Sequence, residues 1–278
     1  MIDCHTHTAV SPDGYDCVSA SYQKACSLGL KAIAVTEHCE ANRPEGPEQY
    51  TTAHTNEEHY FHNRDIFKKS MLENTEVMKH TLSGTEFVNG IELGQATQNP
   101  EFANEVAADE RLDFIIGSVH EPAGRDDYAF LDYKNEDITK ILDDYFDEIL
   151  SLCSWGKFDI LGHLTYPLRY ICGEGGISVN LKQFEEKIIM IFSELAKKDK
   201  GLEINTSGLR QKYGKTFPDF EYVRLFRECG GKIISIGSDA HKTADIGSGI
   251  RDGCRLAKEA GFDKIYYFKK HIPHGISL

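Results

Sequence analysis

The sequence predicts an α/β fold in which parallel strands, joined by helices, close into a barrel. Three observations lead there. Seven or eight β-rich runs alternate with helical stretches, a pattern that requires a parallel sheet with helical crossovers. The 278 residues suit one large domain spanning 1–278. No glycine-rich phosphate fingerprint follows the first strand, where an open dinucleotide-binding sheet needs one. A closed barrel is therefore favoured over an open doubly wound sheet.

The elements follow in order. Residues 2–5 read as a short strand and 18–29 as a helix ending at Gly29. Residues 31–38 (KAIAVTEH) form a strongly apolar strand. The stretch 39–55 holds Pro44, Gly46 and Pro47 and reads as a long loop, with 56–82 helical after it. Residues 87–93 are a strand, 100–109 a short helix and 112–120 an apolar strand. Across 135–153, Ile138, Ile141, Leu142, Tyr145, Phe146 and Ile149 recur on one side, as in an amphipathic helix. A strand at 158–163 precedes a helix at 180–198 with Asn180 as its N-cap. A strand at 201–206 and a helix at 218–229, stopped by Gly230-Gly231, come next. Residues 232–241 begin as a strand, 243–260 read as a helix and 263–268 as a last strand.

Composition narrows the function classes. Hydrophobic residues make up 40% and charged residues 27% of the chain, as in ordinary globular proteins. No apolar run is long enough to span a membrane, and the start MIDCHTHT lacks a basic-then-apolar leader, so a cytoplasmic location is expected. The net charge of −13 disfavours a general nucleic-acid binder. It leaves open a small phosphate-bearing substrate, because metal ions and local arginines can reverse the field inside a cleft. The eight cysteines form no C-x-x-C pair and are spread along the chain, which argues for free thiols rather than a disulfide framework or a zinc ribbon.

The strand ends carry the chemistry. The first ends in His5-Thr-His7, the second in Glu37-His38, the third at Glu92, the fourth at His120 and the fifth at His163. The strand beginning at 232 runs into Asp239-Ala-His241. Parallel barrel strands share one C-terminal face, where such barrels place their active sites. Residues i and i+2 of a strand point to one side, so His5 and His7 can reach one ion, as can Asp239 and His241 if that segment stays extended. Imidazole and carboxylate suit zinc, manganese or iron better than calcium or magnesium. One ion takes about four to six ligands, so this set implies two or three divalent ions with a bridging carboxylate. His54, His59 and His62 read as solvated loop residues, and His80, His271 and His274 as surface or tail residues.

The motifs DCHTHT (3–8), VTEH (35–38), GIELG (90–94), GSVHE (117–121), DILGHLT (159–165) and IGSDAH (236–241) resemble those of the PHP (polymerase and histidinol phosphatase) superfamily. The resemblance runs through the chain and points in particular to the monofunctional histidinol-phosphate phosphatases. It implies a distorted seven-stranded β/α barrel with three metal ions. His5 and His7 would bind one ion with Glu92 and Asp239. Glu92 would bridge to a second ion held by His120 and His163, and Asp13, His38 and His241 would take a third. Family members often read T-D-H where this chain has Thr36-Glu37-His38, so His38 is the expected ligand and Glu37 a supporting residue.

The implied reaction is in-line attack on a phosphate monoester by water activated on the ions, without a protein nucleophile. Cys4 should alternate to the side opposite His5. Arg169 and Arg210 follow strand ends on the cleft face, and the resemblance makes both phosphate clamps, since a guanidinium fork matches phosphate oxygens. Glu92 and Asp239 are the carboxylates expected to act in catalysis, with Asp239 or a metal-bound water protonating the leaving group. The expected substrate is L-histidinol phosphate, cleaved to L-histidinol and phosphate in histidine biosynthesis. Competing readings are a phosphoesterase of nucleotides, nucleic-acid ends or phosphotyrosine, and a non-catalytic metal-binding module. The loop 39–65 is a candidate cover over the site.

Overall fold

The computed structural model describes residues 1–44, 48–50, 59–81 and 84–278. The strands and helices, in chain order, are β1 (Ile2–Asp3), α1 (Val18–Ser27), β2 (Ala32–Glu40), β3 (Glu48–Tyr50), β4 (His59–Phe61), α2 (Asn63–Met78), β5 (Glu86–Gly94), α3 (Pro100–Ala107), β6 (Phe114–Ser118), α4 (Ile138–Trp155), β7 (Ile160–Leu161), α5 (Glu185–Lys197), β8 (Gly201–Asn205), α6 (Phe220–Glu228), β9 (Ile234–Gly237), α7 (Ile250–Glu259), β10 (Lys264–Lys269) and β11 (Ile272–Ser277).

Seven strands form one sheet in the order β1-β2-β5-β6-β7-β8-β9, and each neighbouring pair is parallel. The first and last strands meet. Cys4 N donates to Ile236 O at 2.9 Å, Asp239 N to His5 O at 2.8 Å and His7 N to Ala240 O at 2.8 Å, with a parallel bridge between Thr6 and Ala240. The sheet is thus a distorted seven-stranded β/α barrel. Every described residue of β2 except His38 is buried, as expected of a parallel strand covered on both faces. Ile33, Val35 and Phe87 pack with Val18, Tyr22 and Ala25 of α1 and Ile66 of α2. The larger core cluster carries the remaining helices. Among the described residues no helix is long and apolar enough to cross a membrane.

Local signals set the helix ends. Asn99 caps α3 by accepting from Phe102 N, ahead of Pro100 in the first turn. Asp137 caps α4 by accepting from Lys140 N, and Gly156, at φ 70°, ends it.

Several boundaries differ from the sequence expectation. β2 continues to Glu40, which brings Glu40 into the barrel rather than a loop. Residues 59–61, read as helical, pair antiparallel with 48–50. Helix α2 starts at Asn63, whose Oδ1 accepts from Glu40 N at 2.8 Å and whose Nδ2 donates to Arg43 O at 3.2 Å. Residues 45–47 and 51–58 of the expected loop, including His54, lie outside the described residues. Asn180 caps a 3₁₀ turn at Leu181–Phe184 that feeds into α5. Helix α7 begins only after Gly249, at φ 73°.

The expected last strand, β10, is not part of the barrel. It pairs antiparallel with β11, and the two-residue turn at Lys270 and His271 has positive φ at both positions (49° and 61°), the geometry of a tight hairpin. This hairpin seals the barrel face opposite the strand ends that carry the chemistry. Lys269 Nζ donates to Asp113 Oδ2 at 2.7 Å, and Phe114 and Phe268 stack with ring centroids 5.2 Å apart. His271 is exposed, as a surface residue should be, but it is anchored rather than a free tail. Its Nδ1 lies 2.9 Å from Asp159 Oδ2, and that hydrogen bond, with the carboxylate charge, raises its pKa above the ordinary imidazole range.

Candidate active site

The C-terminal strand ends converge on a cleft of about 350 Å³. Glu92, at the end of β5, lies at its floor. Its Oε1 is 2.7 Å from His163 Nε2 and 3.1 Å from His120 Nε2. Its Oε2 is 3.1 Å from His5 Nε2, 3.5 Å from His7 Nε2 and 3.1 Å from His38 Nδ1. One carboxylate thus faces two separate histidine sets, one per oxygen. Burial alone would raise its pKa, but His5, His120 and His38 outweigh that and hold it well below the usual carboxylate range.

The flanking ligand types come from different strands. The His7 ring is stacked between His38 (4.2 Å) and His241 (4.3 Å). Burial and those two neighbours push its pKa down to about 3, keeping it in the neutral, ligating form. Asp13 Oδ2 is 2.9 Å from His241 Nε2 and 3.7 Å from His38 Nε2. Asp239 Oδ1 is 3.3 Å from His7 Nε2 and 3.8 Å from His5 Nε2. Asp239 is not extended, so the condition for an i, i+2 pair with His241 is not met. Its φ is +54°, a left-handed conformation that aspartate tolerates better than most residues. Asp239 and His241 still both reach the cleft.

The donor set fits divalent cations. Four groups of three of these side chains have ligand atoms within 4.8 Å of one another: His7–His38–His241, His5–Glu92–His163, His5–His7–Asp239 and His38–Glu40–His120. His5 Nε2, His7 Nε2, His38 Nδ1, Glu92 Oε2 and Asp13 Oδ1 are buried yet have no hydrogen-bond partner. His120 Nε2 and His163 Nε2 face each other at 3.2 Å. Lone pairs aimed at one another in a buried site are costly unless a cation lies between them.

A second layer holds these ligands, and most of it was not anticipated. His5 Nδ1 donates to Glu203 Oε1 at 2.7 Å, and His120 Nδ1 to Glu40 Oε1 at 2.8 Å. A carboxylate only accepts, so each contact puts the imidazole proton on Nδ1 and leaves Nε2 free for the cleft. Glu203 Oε2 also accepts from His163 N at 2.8 Å. Gln95, at φ +53°, donates to Glu40 Oε2 at 2.5 Å and accepts from His120 N at 2.9 Å. Glu203 carried a sequence signal, an acid inside the apolar run GLEIN. Glu40 lies two residues beyond His38 on a strand longer than expected.

Glu37 faces away from the ligands. Its carboxylate accepts from Thr8 N, Thr8 Oγ1, Ser11 N and Ser11 Oγ at 2.5–3.1 Å, pinning the loop that carries Asp13. Gly14 in that loop lies against the Thr8 carbonyl so closely that any side chain would collide with it. The Cys4 thiol points toward Tyr266 O, and burial pushes its pKa upward, away from nucleophilic use.

The two arginines differ. Arg169 lines the cleft, with its Nη2 donating to Asp239 Oδ2 and Ser207 Oγ, each at 2.9 Å. Its Nε is buried with no hydrogen-bond partner. Arg210 donates instead to the carbonyls of Ser238 (2.6 Å) and Asp239 (2.8 Å) and does not line the cleft.

A family model described as PHP domain matches residues 3–207. The chain belongs to the PHP domain family. A probable histidinol-phosphatase of Thermotoga maritima is 28% identical over 263 residues, covering 95% of this chain and 94% of that one. A histidinol-phosphatase of Lactococcus lactis is 25% identical over 275 residues, covering 96% and 94%. The crystal structure of a Lactococcus lactis histidinol phosphate phosphatase, in complex with zinc, L-histidinol and phosphate, shares this PHP fold with a TM-score of 0.77. It is 22% identical, and 98% of each chain is covered.

Proposed function

We propose that residues 1–278 act as one domain that hydrolyses L-histidinol phosphate to L-histidinol and phosphate, using two or three divalent ions. The observation that carries phosphoester hydrolysis is Glu92, with one oxygen toward His120 and His163 and the other toward His5, His7 and His38. The choice of substrate is supported by end-to-end likeness to the histidinol-phosphatases.

In this reading His5, His7, Glu92 and Asp239 hold one ion. Glu92, His120 and His163 hold a second, and Asp13, His38 and His241 a third. The nitrogen-rich set suits zinc, iron or manganese. When bound, such ions lower the pKa of water and offset the charge on the phosphoryl oxygens. Arg169 orients the phosphate from the cleft wall, and Arg210 joins it by exchanging its carbonyl partners for phosphate oxygens. Burial would raise the Asp239 carboxyl, but His5, His7 and Arg169 keep it well below the usual range. Asp239 therefore stays ionised near neutral pH, available as a metal-ligating carboxylate.

The test is a steady-state panel of kcat/KM for L-histidinol phosphate against mononucleotides, phosphotyrosine and other monoesters. The expected result is at least about a tenfold preference for L-histidinol phosphate, equivalent to about 1.4 kcal/mol in the transition state. Equal turnover across the panel would reject the substrate and retain a general phosphomonoesterase.

A further inference from the structure

The far wall of the cleft carries one carboxylate with no histidine, lysine or arginine nitrogen as a partner among the described residues. Asp127 follows His120 in the loop before α4 and starts the 3₁₀ turn Tyr128–Phe130. That turn is fixed to the site, since Tyr128 N donates to His120 O at 3.0 Å and Tyr133 Oη donates to Tyr128 O at 2.6 Å. Asp127 Oδ1 accepts from Ala129 N at 2.6 Å and from Tyr166 Oη at 3.1 Å. Its Oδ2 has only a long contact of 3.4 Å to the same hydroxyl.

Asp13, Glu40, Glu92 and Asp239, the other carboxylates lining the cleft, each lie within 4 Å of a histidine nitrogen. Asp127 has only neutral donors among the described residues. Asp127 is half-buried on the cleft wall, and a carboxylate with accepting capacity left over there is a ready partner for a cationic donor.

Tyr166 links this wall to the phosphate end. Its hydroxyl donates to Asp127, while the Arg169 guanidinium lies over its ring, 5.2 Å from the centroid. One tyrosine thus separates a cationic pole from an anionic pole. Tyr170, its hydroxyl 3.1 Å from that of Tyr166, and Phe130, 58% exposed, add aromatic faces to the same cleft. Aromatic faces beside a carboxylate favour a protonated amine or a flat cationic ring.

We propose that Asp127, flanked by Tyr166, Tyr170 and Phe130, is a cation-recognition subsite that selects phosphate monoesters whose leaving group carries a protonated nitrogen. This rests on reading the cleft as a phosphomonoesterase site, and it assigns leaving-group specificity to a residue that holds no metal.

The experiment compares 2-aminoethyl phosphate with 2-hydroxyethyl phosphate, which are close in shape and differ in charge. In Asp127→Asn, the ratio of kcat/KM for the charged over the neutral ester should fall about tenfold or more, mainly through KM, as expected on removing one partner of a desolvated charge pair. Asp127→Glu should recover part of the ratio. Metal content and melting temperature, followed in parallel, verify that both variants fold. A ratio within about twofold of wild type in Asp127→Asn overturns the proposal, as does an equal loss on both esters or a Glu variant no better than Asn. If the wild type shows no preference for L-histidinol phosphate, the ester ratio still decides the role of Asp127. If that preference holds and the Asn ratio is unchanged, the subsite alone fails. No turnover of either ester overturns the subsite and leaves the reading of the cleft to the L-histidinol phosphate assay.

Discussion

Replacing Glu92 by glutamine should lower kcat/KM for the preferred monoester by about a thousandfold or more, or about 4 kcal/mol of transition-state stabilisation. The substitution changes one atom in a buried position, so its effect reports on chemistry rather than packing. Each carboxylate oxygen of Glu92 faces its own histidine set, the closest nitrogens being His163 Nε2 at 2.7 Å and His5 Nε2 at 3.1 Å. An amide offers one oxygen and an N–H donor pair, so it can serve only one set and presents the wrong polarity to the other. Metal analysis of the same variant should show fewer ions per chain than wild type. Unchanged metal content together with near-wild-type turnover would remove Glu92 from the bridging role.

The second large effect is expected one layer out. Glu203→Gln should weaken metal affinity by about 10–100-fold, measured by chelator competition, with activity partly restored at high metal concentration. Glu203 touches no ligand-binding nitrogen, yet it orients groups on two strands at once. Oε1 fixes the proton of His5 on Nδ1, and Oε2 accepts from the backbone N–H of His163. Gly237 makes room for this carboxylate, because a Cβ there would lie 2.5 Å from Glu203 Oε1. A loss of turnover that added metal does not relieve, with affinity unchanged, would show that Glu203 acts in some other way.

The parts of this site that the sequence made legible share one property, a polar residue at the end of an apolar strand. His5, His7, His38, Glu92, His120, His163, Asp239 and His241 stand out because the preceding residues alternate or run apolar and then stop. The barrel followed from the same runs. Asp13 has no such flag and needed the family resemblance. Glu40 was missed because nothing in CEAN marks where β2 ends, and the strand end is set by Asn63 holding Glu40 N from a distant helix. Asp127 lies between two elements in a stretch without periodicity, and only the fold brings it beneath Tyr166. Strand β10 was legible as a strand but not as a hairpin. Its partner holds Pro273 and Gly275, which argue against a strand locally, and residues alone do not reveal which sheet a strand joins.

The difference between the arginines has the same origin. Both follow strand ends, and sequence gave them equal standing. Arg169 lies in a π-helical turn that lays its guanidinium between the rings of Tyr166 and Phe217, 5.2 Å from each centroid. Arg210 ends a 3₁₀ turn and braces the carbonyls on either side of the left-handed Asp239 backbone.

The central claim is that this histidine and carboxylate cluster binds the ions on which hydrolysis depends. The most direct test is to count metal in the purified chain and assay phosphatase activity as native protein, after chelation and after reconstitution. The expected result is about two or three equivalents of zinc, iron or manganese per chain, with activity lost on chelation and restored by added ion. A chain stripped of metal that still hydrolyses L-histidinol phosphate at an undiminished rate would contradict it.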